Sequence, residues 1–201
     1  VLINISIFMS SKFKVLNKKN IHDGFFKMNE VTLKYQKYDG SWSNEVKREL
    51  FGGAQVASVL PYDPKNNKIV LIQQFRPGTI SRDSGNYLDE IVGGIIDPGE
   101  TPENTAKREC LEETGCTVKK LSLIQEYFPA PGSSESFYHL FLGEVDAPDK
   151  EMVRGLENEN EDILVKSYSF QEVKEKLEKK QIINGLTLIA LQWFFLNIYK
   201  T

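Results

Sequence analysis

The chain has 201 residues, with 25 Lys+Arg against 28 Asp+Glu and a formal net charge of −3. At 40% hydrophobic and 26% charged it reads as a soluble globular chain, which excludes collagen, long disorder and a disulfide scaffold. The mild acidity argues against nucleic-acid binding, no apolar run reaches the ~20 residues of a membrane helix, and Cys110 and Cys116 form neither a metal quartet nor a secreted framework. No membrane partner and a reducing, cytoplasmic setting are expected.

Residues 1–9, VLINISIFM, are apolar but lack a signal peptide's basic start and small-residue cleavage site. Met9, ahead of a Lys-rich stretch, is a candidate true start. Residues 26–38 alternate around Val31, Leu33 and Tyr35, a strand pattern. Asp39-Gly40 is a turn signal, and Val46 to Phe51 returns as a second strand before Gly52-Gly53 breaks the chain. Segments 54–60 and 69–75 read as strands joined by a turn-rich connection, and 87–92 as another. Residues 102–114 read as a helix with Thr101 as N-cap, Pro102 in the first turn and Gly115 past the end. Strands are expected at 118–127, 137–145 and 163–168, the last after the acidic loop GLENENED. Helices are expected over 170–180 and 186–199, where Trp193, Phe194 and Phe195 read as core or dimer contact. The mixture predicts an α/β sandwich with a mixed sheet.

Placed on the helix over 102–114, Glu109, Glu112 and Glu113 fall at i, i+3 and i+4 and share one stripe. Ala106 and Cys110 flank it, so the stripe lies beside the buried face. Three acids alone more often mark a solvated face. Like charges at this spacing repel, and a hard divalent cation with oxygen ligands is the natural compensation. Arg108 can pair with Glu112 or reach Glu100.

The whole stretch, Gly94 to Cys116, reads G-x5-E-x7-R-E-x2-E-E-x-G. It resembles the signature of the Nudix hydrolase family at Gly94, Glu100, Arg108, Glu109, Glu112, Glu113 and Gly115. Cys110 and Cys116 stand where the family has aliphatic residues, a mild departure because Cys packs as a small hydrophobe. The resemblance implies an α/β/α sandwich, with the small N-terminal sheet antiparallel. It also implies hydrolysis of a nucleoside-linked diphosphate with Mg²⁺, Mn²⁺ being possible. By the same resemblance Glu109 and Glu113 are metal ligands, Glu112 is a ligand or a support, and the Gly93 carbonyl faces a metal. Glu100 supports the loop, and Arg108 belongs to the catalytic group.

Pro131, 16 residues after Gly115, is similar to a mark of the ADP-ribose pyrophosphatase branch. The stretches around it and the ending NGLTLIALQWFFL are similar too. The loop after Pro131 is a residue shorter than in enterobacterial members. The branch implies Glu159 as general base and Glu161 as a metal-associated carboxylate. It implies substrate contacts from Arg48, Arg76, Gly132 and Glu135. Phe25 or Phe26 either stacks on the adenine or packs in the core. The expected domains are a small N-terminal unit over 1–52 and the catalytic domain over 53–201. The expected partner is a second copy with exchanged N-terminal strands. The expected reaction is ADP-ribose to AMP and ribose 5-phosphate. Alternatives are another nucleoside diphosphate sugar, such as GDP-mannose, or a non-catalytic sensor.

Overall fold

The computed structural model describes residues 12–82, 86–156 and 160–199. They fall into two units, one holding residues up to Ala54 together with Phe128–Phe137, the other Gln55–Tyr127 with Tyr138 onward.

The first unit is an antiparallel sheet of β1 (Phe13–Asp23), β2 (Lys27–Tyr35) and β3 (Val46–Phe51), in that order. β2 and β3 follow the alternation read from the sequence. β1 was not foreseen. Its residues are nearly all exposed, so no apolar period marks it, and two register shifts against β2, at Val15/Asn17 and Asn20/His22, blur what pattern there is. The segment after Pro131 joins this unit through backbone bonds between Phe51, Ser133 and Glu135.

The second unit carries a larger mixed sheet. Its strands are β4 (Gln55–Asp63), β5 (Lys68–Phe75), β6 (Tyr87–Glu90), β7 (Val92–Ile95), β8 (Lys120–Tyr127), β9 (Phe137–Glu144), β10 (Met152–Arg154) and β11 (Ile163–Ser169). The order runs β10-β11-β5-β4-β9-β8. Helix α1 (Pro102–Thr114) covers one face, and α2 (Phe170–Glu178) and α3 (Gly185–Asn197) cover the other. Strand alternation explains both layers. On β5, Val70 and Ile72 meet Ala106 and Cys110 of α1, while Ile69 and Leu71 meet Val173, Leu191 and Phe194. Phe194 is fully buried, so that part of α3 is core.

The caps form as the sequence suggests. The Thr101 hydroxyl accepts the Asn104 N–H, and Gly115 takes φ 73°, a left-handed cap. The β4–β5 turn is tied by Asp63, whose burial raises its pKa while donors from Asn66, Ala147 and Lys65 outweigh that and hold it below the usual value.

β4 and β5 pair only at Tyr62 and Asp63, then part. Into the fork go β6, paired to β5, and β7, paired to β4. Ile91 lies at the crossing, and its N–H is met by the Thr187 hydroxyl of α3 at 3.0 Å, which itself donates to Asn184 Oδ1. Both Ile91 and Thr187 are buried. Thr187→Val keeps the shape and orphans that N–H, a loss of about 1–3 kcal/mol. Thermal melting should show a Tm lower by roughly 5 °C; an unchanged Tm would show that this bond holds nothing in place.

Candidate active site

The fork delivers Gly93 and Gly94 to the flank of α1. A Cβ on Gly94 would collide with the Glu109 carboxylate, which would have to move from its place beside Arg108. The Gly93 N–H points to Glu113 Oε2 at 3.4 Å. Together with Arg108, Glu109, Glu112, Glu113 and Glu161 these residues line a cleft of about 380 Å³. The acid stripe expected on the helix therefore faces a cavity rather than open solvent.

Arg108 holds much of it. Nε and Nη2 donate to Glu100 at 3.1 and 3.0 Å, and Nη1 donates to Glu109 at 2.8 Å and Glu112 at 2.9 Å. Both pairings expected of Arg108 are present at once. The Arg108 bond, joined by the Thr105 hydroxyl, holds the Glu100 carboxyl down to about 2.

Glu113 is different. It is 3% exposed and lies at the C-terminal end of α1, where the helix dipole disfavours an anion and no basic residue stands in the last turn. Burial first, then the charges of Glu109 and Glu161, push its pKa up to about 8, against the smaller pull of the Gly93 N–H and Arg76. Burial likewise raises Glu109, although Arg108 opposes it. Glu161 is fixed by its own loop: its Oε2 accepts the Leu156 N–H at 3.1 Å.

This is an all-oxygen set with excess negative charge, which suits a hard divalent cation. Among the described residues, no three acidic, His or Cys side chains are already closed around one point. In this structure Arg108 engages Glu109 and Glu112. The fit rests on donor chemistry and on the buried carboxylate facing like charges. The residues able to hold a cation are Glu109, Glu112, Glu113, Glu161 and the Gly93 carbonyl.

The other expected residues are distributed as follows. Arg76 ends β5 in the same unit, held by Glu90 of β6 at 2.7 Å. Glu90 was missed; its only signal was the acidic pair Asp89-Glu90 inside the strand-like segment YLDEIV. Arg48 lies on β3, exposed, donating to the Lys47 carbonyl. Phe25 and Phe26 are 88% and 64% exposed and stack edge-on against each other, so the core alternative for them is excluded. Gly132 is unhindered in a turn, and Glu135 is gripped by Lys18 at 2.7 and 2.9 Å. Glu159 lies outside the described residues, as does Met9. Cys110 and Cys116 are buried in the core beneath α1, as packing residues. No helix among the described residues is long and apolar enough to cross a membrane.

A family model for the NUDIX domain matches residues 54–186. An ADP-ribose pyrophosphatase of Escherichia coli (strain K12) is 33% identical over 190 residues, covering 94% of this chain and 91% of that protein. One of Haemophilus influenzae is 33% identical over 196 residues, covering 96% and 90%. A GDP-mannose pyrophosphatase of Enterobacter sp. (strain 638) is 28% identical over 187 residues, covering 92% and 96%. A crystal structure of an ADP compounds hydrolase shares the fold, with a TM-score of 0.67 at 18% identity over 90% of this chain and 91% of that one. A family match over most of the chain, falling on a cleft-lining acidic stripe whose spacing is that of the family signature, places this chain in the Nudix family of hydrolases.

Proposed function

We propose that this chain hydrolyses the diphosphate of ADP-ribose to AMP and ribose 5-phosphate, with Mg²⁺ or Mn²⁺. The observation that carries the reading is the carboxylate-lined cleft beside Gly93 and Gly94, with Glu113 buried in it. A cation bound there neutralises diphosphate oxygens and acidifies the attacking water. Glu109, Glu112, Glu113, Glu161 and the Gly93 carbonyl hold it. Arg108 holds one oxygen each of Glu109 and Glu112, both of which line the cleft. Arg76 offers a planar fork to the phosphates. Water adds to one phosphorus, the bond to the bridging oxygen breaks, and Glu159 accepts the water's proton. Substrate contacts from Arg48, Phe25, Gly132 and Glu135 remain part of the proposal and rest on the sequence resemblance.

The relatives favour ADP-ribose over GDP-mannose, at 33% against 28% identity. A phosphate-release assay with coupled phosphatase should give the highest Mg²⁺-dependent kcat/KM on ADP-ribose across a panel with GDP-mannose, ADP-glucose and NADH. Preference for another sugar nucleotide would overturn the substrate and leave the site; no turnover with any metal would favour a sensor. Glu113→Gln, which keeps shape and removes the charge, should lower turnover by at least ~100-fold while the protein stays folded. Unchanged turnover would sink the metal-ligand role.

The proposal includes a homodimer formed through the N-terminal strands. It is supported by exposed Phe13, Leu16, Ile21, Tyr35, Trp42 and Phe51, a large apolar set for so small a sheet. Light scattering at micromolar concentration should give twice the chain mass; the mass of a single chain would contradict it.

A further inference from the structure

Glu90 closes β6 with a side chain only 4% exposed. Its neighbours along the chain, Ile91 and Val92, are core residues. A carboxylate in such a place is costly unless paired, and an apolar side chain would serve folding better. Its pairing with Arg76 is specific in shape. Arg76 Nε donates to both oxygens at 3.1 and 3.0 Å, and Nη2 donates to Oε2 at 2.7 Å. This is the side-on edge of the guanidinium. The end-on edge, made by Nη1 and the second Nη2 hydrogen, is left facing away from Glu90.

The Arg76 backbone is held as well. Its N–H donates to the Asn86 carbonyl at 2.8 Å, and its carbonyl accepts from the Thr79 N–H at 3.0 Å and the Thr79 hydroxyl at 2.7 Å. Stem and fork are thus both anchored, although the side chain is 44% exposed. The negative charges of Glu113 and Glu161 also act on this guanidinium.

We propose that Glu90 is a positioning residue. It clamps Arg76 side-on and reserves the end-on N–H pair for two oxygens of the diphosphate. Preorganising the fork removes an ordering cost from binding. The inference rests on the reading of Arg76 as a diphosphate ligand.

Glu90→Gln keeps size and one accepting oxygen but removes the charge. It should raise KM for ADP-ribose roughly tenfold, with a smaller fall in kcat. It should weaken inhibition by α,β-methylene-ADP by a similar factor. In a Glu90→Gln/Arg76→Gln double variant the Glu90 change should add nothing to the Arg76→Gln loss, because the clamp acts only through Arg76. KM and inhibitor affinity within about twofold of the parent, or a full additive loss in the double variant, would overturn the proposal. Should Glu90→Gln fail to fold, comparing Arg76→Gln with the double variant decides, since the double variant leaves no unpaired charge. Equal KM supports the clamp, and a further roughly tenfold rise overturns it. If the parent protein ignores ADP-ribose, the substrate reading fails alone, and direct binding of α,β-methylene-ADP still tests the clamp.

Discussion

A carboxylate that the fold should not tolerate organises this molecule. Glu113 is 3% exposed, sits at the negative end of α1 and faces the charges of Glu109 and Glu161. Burial, dipole and neighbours all favour its protonated form. A folded chain can carry such a group because the surrounding core is well packed on both faces of the sheet. A positive charge in the cleft would favour the ionised form of Glu113. Oxygen donors with excess negative charge in one cleft suit a hard divalent cation.

The fork between β4 and β5 places the partners of that carboxylate. A short run of chain, Glu90 to Gly94, serves four ends: Glu90 holds Arg76, the Ile91 N–H meets Thr187 of α3, the Gly93 N–H meets Glu113, and Gly94 admits Glu109. Both helix layers therefore converge on one strand crossing. Arg108 completes the frame by drawing Glu100, Glu109 and Glu112 onto one guanidinium. Its planar fork, permanently charged, can do this where a lysine could not.

Much of this frame was readable in the residues. The spacing from Gly94 to Gly115 put three acids on one stripe, and the caps at Thr101 and Gly115 set the ends of α1. Apolar runs such as IVLIQQF marked strands covered on both faces. Other features left no trace. β1 carries its apolar residues without a regular alternation and is mostly exposed, so its existence depends on pairing with β2 rather than on any local pattern. The strand read over 87–92 stopped short of the two glycines of β7, for which the fork supplies a partner strand. The grip of Glu90 on Arg76 joins residues 14 apart through cross-strand register, which periodicity does not encode. Glu159 itself lies outside the described residues, and the proposed base rests on the sequence resemblance.

The claim that a cation resolves the buried charge of Glu113 is tested most directly by proton release. Mg²⁺ is titrated into metal-free protein near pH 7 in weak buffer while the protons set free are counted. With the Glu113 pKa pushed up to about 8, the carboxyl is mostly protonated at that pH, and metal must displace its proton. The expected result is about one proton released per chain, with release abolished in Glu113→Gln. Metal binding with no proton release, or equal release from both proteins, would contradict it.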